Sequence, residues 1–316
     1  MRLATAIALV PAVLLTSCIG RRGPPTPAGY PEAVSLLGAP LYAVERELSR
    51  RQALEADLAT AYTVYERDPD DADAIIWVGR RVAYLGRYRD AIGIFSEGIR
   101  KHPDDPRMYR HRGHRWITVR EFDRAVQDLQ TAARLLQRRP DEIEPDGIPN
   151  DRNIPLSTLH YNVWYHLGLA HYLRGEFSQA LYGFRNALTV SRNDDSRVAA
   201  SDWTYMTLRR LGREQEAAAV LEPIQPGMEI IENQAYYRRL LMYKGLLPPD
   251  SLLANAQDPL TLATQGYGVG NWHLYNGRVD EAEEIFWRVT SAEDWAPFGY
   301  IAAEADLRRM LRRRRN

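Results

Sequence analysis

The stretch from Leu159 to Val190, LHYNVWYHLGLAHYLRGEFSQALYGFRNALTV, leaves this chain few ways to fold. Its first half places Trp164, Leu167, Gly168 and His171 at i, i+3, i+4 and i+7, which is one face of a helix. Gly175 then stops that helix, because glycine enters the left-handed region at a C′ position without a Cβ clash. The second half resumes the helical period with Ala180, Leu181, Phe184, Ala187 and Leu188. Two antiparallel helices joined by so short a turn make an αα-hairpin. Gly168 and Ala180 let the two backbones approach, while Trp164 and Phe184 supply the area to bury.

One hairpin cannot cover its own apolar face, so further copies are expected. Gly79 and Gly113 recur at a step of about 34 residues, a period long enough for one helical hairpin, and each sits inside a similar pattern. Around Gly79 the chain reads IIWVGRRVAYLGRYRDAIGIFSEGIRKHP, with Gly86 at the turn and Ala91 and Phe95 on the second helix. Around Gly113, Tyr109, Trp116, Ala125 and Ala132 keep the register. Gly168 follows Gly113 by more than one period and less than two, so the chain between them holds a surplus. That surplus lies in Arg139 to Ser157, RPDEIEPDGIPNDRNIPLS, which has four prolines and no helical period. A loop of that length inside an array is commonly functional.

Beyond Gly175, glycine recurs at Gly212, Gly245 and Gly277. A fourth unit carries Tyr205 where a small residue is usual but keeps Ala217 and Leu221. In a fifth, Pro248 and Pro249 stand where a second helix would begin, which the first turn of a helix tolerates. A sixth regains Gly270, Ala282 and Phe286. A last helix, from Pro297 to about Arg312, carries Phe298, Ile301, Ala302, Ala305 and Leu307 and is expected to cover the final unit's open face.

The spacing W-x2-L-G-x2-aromatic, then A-x3-F, resembles the tetratricopeptide repeat, and the resemblance extends over about 240 residues. It implies an all-α, TPR-like helical-repeat solenoid of about five to six αα-hairpins plus a C-terminal capping helix. It also implies that the first helices line a concave groove that takes a protein or peptide. The inward positions would be filled here by Trp77, Arg80, Tyr84, Arg110, His111, His114, Tyr165, His166 and Trp203. Aromatic residues alternate with bases there, which favours an acidic or carboxylate-bearing ligand. The carboxylate clamp by which some of these proteins hold chaperone tails is missing, since Ile76, Arg80, His111, Asn162 and His166 occupy its positions.

The lone cysteine, Cys18, follows Met1-Arg2 and an apolar run from Leu3 to Leu15, too short to span a bilayer. Leu15-Thr16-Ser17-Cys18 resembles a bacterial lipobox, which implies lipidation at Cys18 and a protein tied to the cell envelope, with the outer membrane facing the periplasm as the expected site. With no second cysteine there is no disulfide framework. The 41 basic and 41 acidic residues balance, and they give no electrostatic reason to expect nucleic acid.

No phosphate-binding glycine loop, HExxH pair, nucleophile elbow or paired-cysteine motif is present, so no cofactor and no catalytic residue is expected. His111, His114 and His166 are the one set that could converge on a metal, but no acidic second shell accompanies them. They are read as groove residues, with no metal. A glycan-binding lipoprotein that stacks sugars on aromatics is the alternative function, and an enzyme is third. The organisation read from the sequence is a leader over 1–17, a Pro/Gly-rich tether over 18–40, an N-terminal helix within 41–69 and two repeats over 70–139. An insertion over 140–158, two repeats over 159–225, two degenerate repeats over 226–296 and a capping helix with a basic tail over 297–316 complete it.

Overall fold

The computed structural model describes residues 29–254, 256 and 258–315, so Cys18 and the start of the tether lie outside the described residues. Two short strands, β1 (Ala33–Val34) and β2 (Pro40–Leu41), pair antiparallel and are followed by α1 (Leu48–Arg67). Six helical hairpins come next: α2 (Ala72–Tyr84) with α3 (Tyr88–Lys101), α4 (Pro106–Thr118) with α5 (Phe122–Leu136), and α6 (Leu159–Arg174) with α7 (Phe177–Val190). Then come α8 (Asp194–Arg210) with α9 (Glu214–Leu221), α10 (Gln234–Tyr243) with α11 (Pro249–Ala254), and α12 (Pro259–Tyr275) with α13 (Val279–Thr290). The last helix is α14 (Phe298–Arg315).

The two helices of a hairpin begin differently, for a local reason. First helices follow a connection between units and, α10 excepted, take side-chain caps: Asp71 accepts from Ala74 N at 2.6 Å, Thr158 from Tyr161 N at 3.3 Å, and Asn193 forms a reciprocal box with Ser196. Second helices α3, α5, α7, α9 and α13 enter straight from the hairpin turn and have no side-chain cap. The turn residue is left-handed in every hairpin, a glycine in five and Arg120, at φ +67°, in the second.

Within a hairpin the backbones meet where the first helix lacks a side chain. A Cβ on Gly79 would stand 2.5 Å from the Phe95 ring, on Gly168 2.7 Å from Phe184, and on Gly270 2.6 Å from Phe286. Those three phenylalanines are essentially without exposure, and each such burial contributes about 1.5–3 kcal/mol. Between units, Phe184, Trp203, Tyr267 and Phe286 form one stacked column with centroid spacings of 5.9, 5.8 and 5.7 Å.

Helix α14 does more than cover the last unit. It packs on α12 and α13 and also reaches α6. Along it, Phe298 sits on the rings of His114 and His166 at 5.2 and 5.6 Å. Asp306 pairs with Arg210 of α8 at 2.8 Å, and Arg309 donates to the α6 carbonyls of Tyr172 and Leu173 at 3.0 and 2.9 Å. Just before α14, Trp295 meets Tyr88 edge-on at 5.3 Å, and its Nε1 donates to Tyr42 O at 2.6 Å. The last elements therefore touch the first ones, and α14 fills much of the concave side.

Candidate partner-binding groove

The first helices α2, α4, α6, α8, α10 and α12 line the inner side, but little of it is open. The exception lies at the α2–α4 end. There Trp77 is half-buried, with the Arg80 guanidinium stacked 4.4 Å from its ring centroid. Tyr84, one turn further along α2, is also half-buried and accepts from Arg80 Nε at 3.4 Å.

Arg110 of α4 is buried and donates from Nη1 to His111 Nδ1 at 3.0 Å. Arginine can only donate, so the His111 proton belongs on Nε2, which faces Glu144 at 3.7 Å. His111 also stacks on Phe95 at 5.4 Å. The His114 and His166 rings lie 4.5 Å apart, and His166 Nδ1 donates to the Asn162 carbonyl at 2.6 Å. Burial first, and then the guanidiniums of Arg110 and Arg115, hold His114 and His166 well below the ordinary histidine range; Arg80 adds to the same effect on His111. All three rings are neutral in the fold. Among the described residues no group of three or more His, Cys, Asp or Glu is arranged to hold a metal ion.

The rest of the expected surface is not available to a ligand. Trp203 is fully buried inside the aromatic column, so its assignment to the groove is corrected: the ring packs between Phe184 and Tyr267. Tyr165 is buried as well, bonded to Tyr236 Oη at 3.2 Å and packed against Tyr161. His114 and His166 lie beneath Phe298 of α14. Of the residues read as lining an open groove, Trp77, Arg80 and Tyr84 with Arg110 and His111 remain together at one place.

What covers that place was not foreseen. The insertion, which runs without a helix from residue 137 to 158, lays its acidic stretch on α2, α4 and α6. Glu144 is buried with its carboxylate 3.0 Å from Arg110 Nη2 and 3.1 Å from Asn162 Nδ2. Arg80 and Arg81 donate to the carbonyls of Pro145 and Gly147, each at 2.8 Å. A cleft of about 190 Å³ stays open alongside, walled by Ile76, Trp77, Arg80, Arg107 and His111 on one side and by Ile143 and Pro145 on the other. Charge complementarity between DEIEPDG and the arginines of α2 and α4 was the visible signal for this contact.

The site also carries a surplus of positive charge. Arg115 faces the ring of Tyr88 at 5.5 Å, and among the described residues no carboxylate pairs with it. Burial pulls its guanidinium down to about 10. Arg110 Nε has no hydrogen-bond partner among the described residues. Glu144 pairs directly with Arg110, and Asp146 lies close enough to Arg80 to feel its charge, while among the described residues no carboxylate pairs with Arg115.

No family model matches this chain, and no curated protein matches it. Solved structures of similar shape include YrrB, a TPR protein with an unusual peptide-binding site, at 15% identity over 78% of this chain and 97% of that one, with a TM-score of 0.42. The APC/C hetero-tetramer Cut9–Hcn1 aligns at 17% identity over 83% and 46% of the two chains, with a TM-score of 0.48. A putative kinesin light chain of Podosopora anserina with TPR-like repeats aligns at 14% identity over 71% and 94%, with a TM-score of 0.42. The deciding observation is the chain's own: six hairpins, each with a left-handed turn residue, three of them closing a first-helix glycine onto a second-helix phenylalanine. The fold is a TPR-like helical-repeat solenoid. As in any such array the ligand is set by the inner side chains rather than by the fold.

Proposed function

We propose that this TPR-like chain is a non-catalytic adaptor that holds a protein partner by an extended acidic segment at the α2–α4 end of its concave face. Lipid on Cys18 would tie it to a bacterial envelope membrane, with the outer membrane facing the periplasm as the proposed site. The observation that carries the reading is the excess of positive charge among Arg80, Arg110 and Arg115, of which Arg110 alone is directly paired with a carboxylate among the described residues, beside a cleft that is still open at Trp77. Arginine and tryptophan held rigid in a recess are the residue types that dominate binding energy at interfaces. The glycan alternative draws less support, because Tyr165 and Trp203, which would stack on sugar rings, lie in the core. Among the described residues no helix is long and apolar enough to cross a membrane.

Arg80 and Arg110 are themselves buried, so their removal would disturb the fold together with the site. A photo-crosslinking amino acid at Trp77 is the cleaner test, with the same group at Tyr182, 62% exposed on α7, as control. In intact envelopes the Trp77 probe should capture a discrete partner that the Tyr182 probe does not. The same products from both positions, or none from position 77, would remove the adaptor reading. For the anchor, Cys18→Ala should release the protein from the membrane fraction, and an unmodified Cys18 on membrane-bound mature protein would contradict it.

A further inference from the structure

We infer that Glu142–Gly147 is the resident ligand of this groove, and that the partner carries a segment of the same chemistry, a carboxylate followed by proline in extended backbone, which displaces it. The inference rests on the adaptor reading and gives the partner's motif.

The contacts are of the kind a groove makes with a foreign peptide. Two arginines read main-chain carbonyls, those of Pro145 and Gly147, and one carboxylate is received by Arg110 and Asn162. Main-chain bonds supply affinity for any extended segment and the charged pocket supplies choice. The segment buries residues three apart, as an extended polyproline-type strand does: Glu144 and Gly147 are buried against the groove, while Ile143 and Pro145 are exposed. Gly147 is pressed so close that a Cβ there would lie 1.7 Å from Tyr84 Oη.

The loop has no apolar core of its own to hold the segment in this place, since Ile143 and Ile148 are more than half exposed, at 57% and 52%. Its other anchors are backbone bonds to the chain that re-enters α6, Glu144 N to Ser157 O at 3.0 Å and Leu159 N to Glu142 O at 2.9 Å, a bond from Asn193 to Leu156 O, and surface bonds from Asn150 to Glu232 and from Arg152 to Glu229. Joining one unit to the next does not call for this length, since α3 and α4 are linked by residues 102–105 and α7 and α8 by 191–193. The open cleft borders Ile143 and Pro145 themselves, giving an incoming segment a place to start.

A tethered segment competes at a high effective concentration, so the intact chain should bind a free copy weakly, in proportion to the fraction of molecules with the groove vacated. The probe is a fluorescein-labelled synthetic peptide, PDEIEPDGIP, copied from Pro140–Pro149, with a second peptide in which glutamine replaces the Glu144 equivalent. Three full-length chains are compared by fluorescence anisotropy: wild type, a chain with residues 142–147 replaced by Gly-Ser-Gly-Ser-Gly-Ser, and Glu144→Gln combined with Gly147→Ala. The second opened chain retains the loop should the first not fold, and circular dichroism confirms folding of each. Both opened chains should bind the acidic peptide at least about tenfold more tightly than wild type, and lose at least about tenfold on the glutamine peptide. Equal binding by wild type and a folded opened chain, no binding by either folded opened chain, or indifference to glutamine would each overturn the inference. The two readings fail separately. Peptide binding without any partner captured at position 77 would sink the adaptor and leave the internal ligand standing. Equal capture by wild-type and opened chains would do the reverse.

Discussion

Three histidines packed under α14 and the insertion, His111 and His166 buried and His114 half-buried, should make this fold sensitive to mild acid. His111 and His114 on α4 and His166 on α6 are surrounded by Phe95 of α3, Phe298 of α14, Arg80 of α2, and Arg110 and Arg115 of α4, with Glu144 of the insertion as the facing carboxylate. Desolvation and then the neighbouring guanidiniums keep each ring neutral well below its ordinary pKa of 6.5. In the unfolded chain each ring takes up a proton as pH falls through 6.5, whereas the folded chain does not. Stability is therefore unaffected above that pH and drains away below it. One pH unit below 6.5, each ring that stays neutral in the fold contributes about 1.4 kcal/mol to the loss, or about 4 kcal/mol for three. Asp202 works against them. Burial raises its carboxyl to about 7 in spite of Arg239, so the folded state gains that proton as pH falls and part of the loss is offset. Urea titrations of wild type and His166→Gln at pH 7.5, 6.5 and 5.5 cancel that contribution. The wild type should lose about 1.4 kcal/mol more than the variant between pH 7.5 and 5.5. Parallel pH dependences for the two proteins would show that His166 is protonated in the fold and that its surroundings are misread.

Two substitutions probe the packing. Gly168→Leu should cost at least about 1–3 kcal/mol, because its Cβ would stand 2.7 Å from Phe184 with the backbone opposite already close to Gly183; a melting curve like that of wild type would refute the hairpin contact. Glu304→Leu should cost about 3–5 kcal/mol by stranding Arg120, which is buried with Glu304 3.0 Å away. Adding Arg120→Gly should recover part of that loss, since glycine takes the +67° turn without strain and leaves no charge behind; a double variant no more stable than Glu304→Leu would contradict this.

The sequence exposes what is local in this fold and conceals what depends on curvature. Gly86, Gly175, Gly212, Gly245 and Gly277 mark turns because a left-handed residue is needed within a few positions of each helix end. Gly79, Gly168 and Gly270 mark close approach for an equally local reason, a phenylalanine on the second helix of the same hairpin. The turn at Arg120 escapes this reasoning, because its left-handed backbone is held by a partner far along the chain, Glu304. Trp203 escapes it too. Its period fits an inward position, but the stacking partner Tyr267 comes from α12, and only the coiling of the whole array places that ring beside it. The contents of the groove were hidden for the same reason: arginines at the right period show that the inner face is basic, not that α14 and the insertion already occupy it.

The closure of the array bears on where a partner can enter. In an open solenoid each unit touches only its neighbours and the inner face is uniformly accessible. Here Trp295 joins the last elements to Tyr42 and Tyr88, and α14 is fixed along the inner side by buried ion pairs, Glu304 with Arg120 and Asp306 with Arg210. Burial by itself would raise the Asp306 carboxyl, yet Arg210 and Arg309 hold it below its ordinary value, so that pair remains charged at neutral pH. Separating α14 would leave buried charges unpaired, about 3–5 kcal/mol for each broken pair. The insertion is held by a single buried carboxylate, by bonds to two carbonyls and, where it re-enters α6, by backbone bonds of Glu142 with Leu159 and of Glu144 with Ser157, while its ties to Glu229 and Glu232 are exposed to water, where such contacts are worth about 1 kcal/mol or less each. The weaker of the two covers lies over α2 and α4. On the adaptor reading that is the end at which the groove opens, with α14 serving as its fixed floor.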